Sequence, residues 1–479
     1  MRLLPIALLW CTVSAACFAQ PDYRLQGAPL RAAKPDPAIA RALTTIQPVH
    51  IQETIKTLVG FGTRSTLSSM ETDLPPGQGI NAAADWIESQ FKEISRQCGG
   101  CLEVRRDTFM ADPNSGGRWA GRIPRPTRIS NIYAILHGTD PEESKRMVLV
   151  TGHYDSRNTD ILDDHGAAPG ANDDASGVAV SLECARALSK LKFPGTIVFV
   201  AVAGEEQGLV GSAHLAKLAR DEGWQLVAVL NNDIVGGNTT PGDKLQLKDR
   251  VRVFSEGIPT TATPEEIRRI RALGKENDSA SRELARTIDE VGQSYFPQAG
   301  PTAFSAFPVS RPDRYLRGGD HSSFNAEGFA AVRLTEWRED YNHQHQNVVI
   351  PLPGSDKPIL GDLIRFVDFN YVAKVARLNA ATLATLAAAP GAPEKVAIDA
   401  RRLEDGTTLT WKPPAGERVA HYEVLWRETA APEWQYMKTV PPQAGDGPMT
   451  VTLPISKDNV IFGVRSVDAG GHRSLVETP

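Results

Sequence analysis

Residues 147–156 read Met-Val-Leu-Val-Thr-Gly-His-Tyr-Asp-Ser, and the fold turns on this stretch. The first five residues make a nearly continuous apolar run of strand length. A strand with one wet face would alternate apolar with polar, so an unbroken run predicts a strand covered on both faces. Similar runs occur at 132–136, 196–203, 226–232 and 330–335. Between them, 177–191 and 209–220 carry apolar residues at helical spacing, as 51–61 and 80–94 do upstream. Strand and helix alternating in this way predict an α/β fold, with a mostly parallel sheet sandwiched by helices.

The chemistry is concentrated at the ends of these runs. The 147–151 run ends in Gly152-His153-Tyr154-Asp155-Ser156, the 196–203 run in Gly204-Glu205-Glu206-Gln207-Gly208, and the 226–232 run in Asp233. The helix at 177 is preceded by Gly170-Ala171-Asn172-Asp173-Asp174-Ala175-Ser176. Each piece alone has a plain explanation: a helix N-cap for Asp173-Asp174, a solvated turn for Glu205-Glu206, a held histidine for His153-x-Asp155. Ligands of open parallel sheets bind beyond the carboxyl ends of the strands, so all of them together predict one site. Imidazole and carboxylate without thiolate suit a catalytic Zn²⁺. Two ions about 3.5–4 Å apart would need a bridging carboxylate and ligands on either side. His153, Asp173, Glu206 and Asp233 supply four ligands. The second imidazole is sought in 341–347, Tyr-Asn-His-Gln-His-Gln-Asn.

These motifs resemble a known family. Gly-His-x-Asp-Ser, Pro-Gly-Ala-x-Asp-Asp-Ala-Ser-Gly, Gly-Glu-Glu-x-Gly-Leu-x-Gly-Ser and a late histidine are similar to the co-catalytic zinc aminopeptidases of peptidase family M28. The likeness spans about 45–385. It implies a zinc exopeptidase-like fold and two Zn²⁺ per chain. One ion would take His153 and Asp233, the other Glu206 and the late histidine, with Asp173 bridging. Asp155 would orient His153, and Glu205 would be the general base. In the family the late histidine is followed four residues on by Asp. Here His343 has Asn347 at that offset, which makes His343 the implied ligand and His345 the alternative. Asn172 stands where some members carry a third acid. Asp320-His321-Ser322 resembles the family's Asp-His segment near the cleft, although a satisfied loop histidine explains it equally. The acidic stretch Asp160, Asp163, Asp164 with His165 reads as a solvated loop, with an extra cation site as its alternative.

The rest of the chain frames this unit. Of 479 residues, 41% are hydrophobic and 23% charged, a globular balance that excludes coiled coil, collagen and disorder. The formal charge is −5 and no basic run stands out, so neither nucleic acid nor an anionic membrane is an expected partner. Residues 1–19 predict a secretory signal peptide, with Arg2, an apolar stretch at 3–13 and the small-residue site Cys17-Phe18-Ala19. A lipoprotein cut before Cys17 is the alternative. No later stretch is apolar enough to span a bilayer, so the expected product is exported, periplasmic or extracellular, and not membrane-spanning. Cys98-Gly-Gly-Cys101 reads as a small-loop disulfide, and Cys184 as a buried free thiol. Residues 20–45 form an extended lead-in, 46–388 the peptidase unit, and about 240–320 an insertion with one charged helix at 264–273 and a loop-rich remainder. Beyond 393 short alternating segments predict a small β-sandwich to 479, and Trp411, Tyr422, Val424 and Trp426 in their spacing resemble a fibronectin type III domain.

The expected activity is therefore a zinc-dependent aminopeptidase acting on peptides with a free amino terminus. Its rivals are a carboxypeptidase or glutaminyl cyclase on a related fold, and a binding protein on an inactive peptidase fold.

Overall fold

The strand that carries His153 runs Arg146–His153, and its last six residues are buried. The computed structural model describes residues 22–113, 121–401, 403–416, 418–443 and 447–479. In it this strand lies within an eight-stranded sheet. Across the sheet the order is Glu103–Ala111, Thr127–Leu136, Thr196–Val202, Arg146–His153, Gln225–Asn232, Ala331–Thr335, Arg250–Ser255 and Ser305–Val309. The four strands from Thr196–Val202 to Ala331–Thr335 run parallel. Both flanks join this centre antiparallel.

Both faces are covered, as the unbroken apolar runs require. Val148, Val150, Phe199 and Leu230 pack with Ile51, Ile55, Val178, Leu182 and Val372. These come from the helices Pro48–Gly60, Ala175–Leu188 and Phe369–Ala388. Leu149, Val198, Val200 and Val229 point the other way, onto Leu215, Ala216 and Phe324. Burying branched side chains on both faces at roughly 1.5–3 kcal/mol apiece makes this sheet the stable platform of the site.

Three parts differ from the expectation. The lead-in 20–45 is not extended throughout: it holds the helices Asp22–Leu25 and Pro37–Leu43, the second capped by Asp36. The segment 240–320 is more regular than its sequence suggests: beside the helix Pro264–Ala272 it holds the helix Ala280–Tyr295 and two strands of the sheet. The second helix was obscured because its buried face includes Arg282, Glu283 and Arg286, which find partners in distant parts of the chain. The edge strand Glu103–Ala111 was also missed, since its residues are mostly polar and largely unburied.

Beyond the helix Phe369–Ala388 come two small antiparallel sheets. One holds Glu394–Ile398, Thr407–Lys412 and Met449–Leu453; the other holds Tyr436–Val440, His421–Glu428 and Val460–Val467. Trp411, Tyr422, Trp426, Phe462 and Val464 fill the space between them. The second sheet gains a strand from the lead-in, where Ala28 and Pro29 pair antiparallel with Met437 and Tyr436. The helix Ala280–Tyr295 and the turn before it dock on the sandwich through buried polar groups. Arg427 pairs with Asp278, the Trp434 indole donates to Glu283 at 2.8 Å, and Arg465 pairs with Glu290 at 2.6 Å. Cys98 and Cys101 are disulfide-bonded, and Cys184 is buried and free. No helix among the described residues is long and apolar enough to cross a membrane. The expected signal peptide at 1–19 lies outside the described residues.

Candidate metal centre

A glycine contact sets the entrance of the site. At Gly152 a Cβ would fall 2.4 Å from the Gly177 carbonyl carbon, and at Gly177 one would fall 2.1 Å from the Asn232 carbonyl oxygen. Only glycine lets the helix Ala175–Leu188 press its first turn against two strand ends. Asp174 then caps that helix: its carboxylate accepts from Gly177 N at 2.9 Å and from His153 N at 3.0 Å. Asp173, its neighbour, is left facing the strand ends.

There the structure gathers two groups of three candidate ligands that share one residue. His153, Asp173 and Asp233 form the first, and Asp173, Glu206 and His345 the second, with the ligand atoms of each group within 4.8 Å of one another. His153 Nε2 lies 3.1 Å from Asp173 Oδ1 and 3.9 Å from Asp233 Oδ1. His345 Nε2 lies 2.9 Å from Asp173 Oδ2 and 3.1 Å from Glu206 Oε1. His153 Nδ1 donates to the Asp155 carbonyl at 3.1 Å, which leaves the Nε2 lone pair for the shared side. The Asp155 carboxylate holds other members in place. It accepts from the backbone N of Glu206 at 3.1 Å and of Glu205 at 3.4 Å, and from the Thr66 hydroxyl at 3.0 Å.

Of the two late histidines, this geometry favours the alternative, His345, over His343. His343 lies outside both groups. Its ring stacks on Phe366, with centroids 3.5 Å apart, and its Nδ1 faces Asn238 Oδ1 and the Thr240 hydroxyl, each at 3.3 Å. His345 is the residue turned inward, from a backbone at φ 54. A non-glycine residue held there is strained by about 1–3 kcal/mol, a condition that concentrates at functional sites. Ile234, directly after Asp233, is another at φ 60.

The electrostatics fit a cation. Burial works against charge on Asp173, yet His345 and His153 hold its carboxyl well below the usual range. His345 in turn is pushed up to about 10 against its burial, by Glu206 and Asp173. The carboxylates thus draw positive charge onto both imidazoles, and a divalent ion answers the same demand. His153 Nε2 and Glu206 Oε1 are buried and make no hydrogen bond although neighbours stand close. Donor atoms gathered for an ion, rather than for each other, sit in this way.

Several supports carried no recognisable pattern. Asp362 accepts from the backbone N of Asn172 at 2.9 Å and of Asp173 at 2.7 Å. Arg333, fully buried, meets Asp233 at 2.7 Å. Gln344 donates to Asp173 Oδ2 at 3.1 Å. Asp320 is buried with both oxygens unpartnered and is pushed up to about 7 by that burial. Its neighbour His321 donates from Nε2 to the Pro312 carbonyl at 2.9 Å, as a loop histidine satisfied by backbone does. Of the acidic stretch, Asp164 and His165 meet Glu71 in a third group. The Arg125 guanidinium already bridges Glu71 and Asp164, so the positive charge there is supplied by the chain.

The stretch that holds these residues matches a known family. The model of peptidase family M28 matches 131–350. A "Probable zinc metalloprotease" of Pyricularia oryzae is 43% identical over 460 residues, which cover 95% of this chain and 86% of that protein. The chain belongs to peptidase family M28. A second "Probable zinc metalloprotease", from Leptosphaeria maculans, is 41% identical over 446 residues, covering 93% of this chain and 97% of its own. Among solved structures, the LapA aminopeptidase of Legionella pneumophila is similar over 76% of this chain and 79% of its own, at 21% identity and a TM-score of 0.48. That family is one of peptidases, and the imidazole and carboxylate atoms gathered around Asp173 are of the kind zinc takes.

Proposed function

We propose that this M28 metalloprotease is an exported aminopeptidase that holds two zinc ions and removes residues singly from a free amino terminus. One observation carries the reading above all: two three-residue groups of imidazole and carboxylate share Asp173, beside Glu205, in an open cleft. One ion would be held by His153 and Asp233, the other by Glu206 and His345, with Asp173 between them. Zinc held there would supply Lewis-acid charge that polarises the scissile carbonyl and eases ionisation of water.

The chain's own residues do the rest. Burial pushes the Glu205 carboxyl well above the usual range, with Asp233 and Glu206 adding to it, and that raised basicity suits a general base. A Glu205 carboxylate oxygen takes the proton of the attacking water and hands it to the leaving amine nitrogen. Asp155 fixes Glu205 and Glu206 through their backbone amides and His153 through its own carbonyl. The acidic character of this end of the cleft would attract the substrate's ammonium and so favour cleavage at the first peptide bond.

Export is supported by the signal-like 1–19 and by a Cys98–Cys101 disulfide, which suits an oxidising compartment. We take 46–388 as the peptidase unit and 393–479 as a fibronectin type III-like sandwich, a spacing or binding module that lacks a catalytic set among its described residues. Trp411 and Trp426 in its core support that likeness.

The test is hydrolysis of aminoacyl p-nitroanilides beside their N-acetylated forms. Release from the free amines alone, abolished by a chelator, is the expected result. Cleavage of blocked peptides from the carboxyl end would replace the reading with a carboxypeptidase, and cyclisation of glutaminyl peptides with a cyclase.

A further inference from the structure

The cleft over the two ligand groups encloses about 790 Å³, and its charges are unevenly matched. Of its acidic lining, Asp173, Glu206 and Asp233 belong to the ligand groups and Glu205 is the proposed base. Glu327 is paired with Arg220. Asp233 also takes the buried Arg333 at 2.7 Å, so none of these carboxylates is left over for an arginine of the lining.

Two arginines of the lining remain under-matched. Arg157 donates from Nε to the Asn158 carbonyl at 3.0 Å and from Nη2 to the Thr159 carbonyl at 3.1 Å. Among the described residues it pairs with no carboxylate. Arg317 reaches Glu339 at 3.1 Å, but Glu339 already receives Arg314 at 2.7 Å and Arg252 at 3.1 Å. Arg314 has Asp313 as a further partner at 3.1 Å. Three guanidinium groups on one carboxylate leave surplus positive charge. It falls on Arg317, whose side chain is 31% exposed while that of Arg314 is 8% exposed.

We propose that Arg157 and Arg317 make the cleft a receiver for a carboxylate on the peptide substrate. The inference rests on the aminopeptidase reading and narrows its substrate class. A guanidinium offers a planar fork of N–H donors that matches the two oxygens of a carboxylate. An acidic side chain of the peptide and the terminal carboxylate of a short peptide present that same pair of oxygens.

The experiment separates these sources with three dipeptides: Leu-Asn amide, Leu-Asp amide, and Leu-Asn with a free carboxyl terminus. Zinc-loaded full-length protein is expected to show a kcat/KM at least tenfold higher on one acidic peptide than on the neutral amide. Which peptide it is names the source. In Arg157→Gln and Arg317→Gln the ratio of acidic to neutral kcat/KM falls towards one, while Arg157→Lys and Arg317→Lys keep part of it. Calorimetric titration of chelator-treated protein provides a readout apart from turnover: the favoured acidic peptide binds more tightly than the neutral one, and the double glutamine variant loses the difference. Equal kcat/KM on all three peptides overturns the inference, and so does an acidic preference that survives in the double variant. Hydrolysis of none of them by the zinc-loaded protein would remove the aminopeptidase reading, and this inference with it.

Discussion

Arg64 is a buried residue whose loss should disturb both stability and metal binding. It is fully buried, and its guanidinium donates to four carbonyls: Tyr154 at 2.7 Å, Leu58 at 3.0 Å, Pro169 at 2.6 Å and Gly170 at 2.8 Å. Those carbonyls belong to the end of one helix, to the strand end beside His153, and to the loop that leads into Asp173. Arg64→Met keeps much of the volume and removes every donor. Four charge-assisted bonds at about 1.5–3 kcal/mol each set the loss at roughly 6 kcal/mol or more. Against this stands the burial that pushes Arg64 down to about 10, which costs about 3 kcal/mol at 1.36 kcal/mol per unit. The balance is a destabilisation of about 3 kcal/mol at least. Calorimetric unfolding of chelator-treated protein measures it, and competition with a zinc chelator measures affinity. Supports of metal ligands are worth about 10–100-fold in affinity, so a drop in that range is expected. A variant within about 1 kcal/mol of wild type and unchanged in zinc affinity would refute the claim that Arg64 ties these loops to the site.

Three further outcomes are expected from named contacts. His345→Ala should lose one zinc ion per chain by elemental analysis, whereas His343→Ala should keep both, because His343 is occupied by Phe366, Asn238 and Thr240. Glu433 is pushed up to about 7, first by burial and then by Asp289. A carboxyl raised in the folded state contributes stability that is full below pH 4.5 and is lost as pH rises through 7. Glu433→Gln should therefore gain about 1–2 kcal/mol over wild type at pH 8 and nothing at pH 4, in denaturant titrations at the two pH values; the figure is discounted for its half-buried side chain. In the lead-in, a Cβ on Gly27 would fall 2.2 Å from the Trp426 ring and 2.7 Å from the Met437 carbonyl. Gly27→Ala should thus weaken the sandwich by about 1–3 kcal/mol, seen as earlier unfolding by tryptophan fluorescence.

The parts of the molecule that could be read from the sequence are those where burial and chemistry meet at one point. His153 and Asp233 stand at the ends of apolar strand runs, Glu205 and Glu206 follow another after one glycine, and Asp173 precedes a helix cap, so each candidate ligand is flagged by the element that presents it. Spacing does not separate His345 from His343, because what distinguishes them is a left-handed backbone at 345 and a ring stack of His343 on Phe366. Arg64, Arg333 and Asp362 act through backbone carbonyls, a buried ion pair and backbone amides far away in the chain, and no local pattern marks such partners. The helix Ala280–Tyr295 was hidden for a related reason: Glu283 is buried on a tryptophan 151 residues away. The lead-in strand of two residues is too short to carry any periodicity.

The shared role of Asp173 is tested most directly by counting zinc in the full-length protein and in its Glu205→Gln variant, with aminoacyl p-nitroanilide turnover measured on the same samples. Two zinc ions per chain are expected in both proteins, with turnover falling by about 10²–10⁴-fold in the variant. One ion or none in the active wild type would contradict the shared role of Asp173, and a Glu205→Gln variant with full turnover would contradict the base.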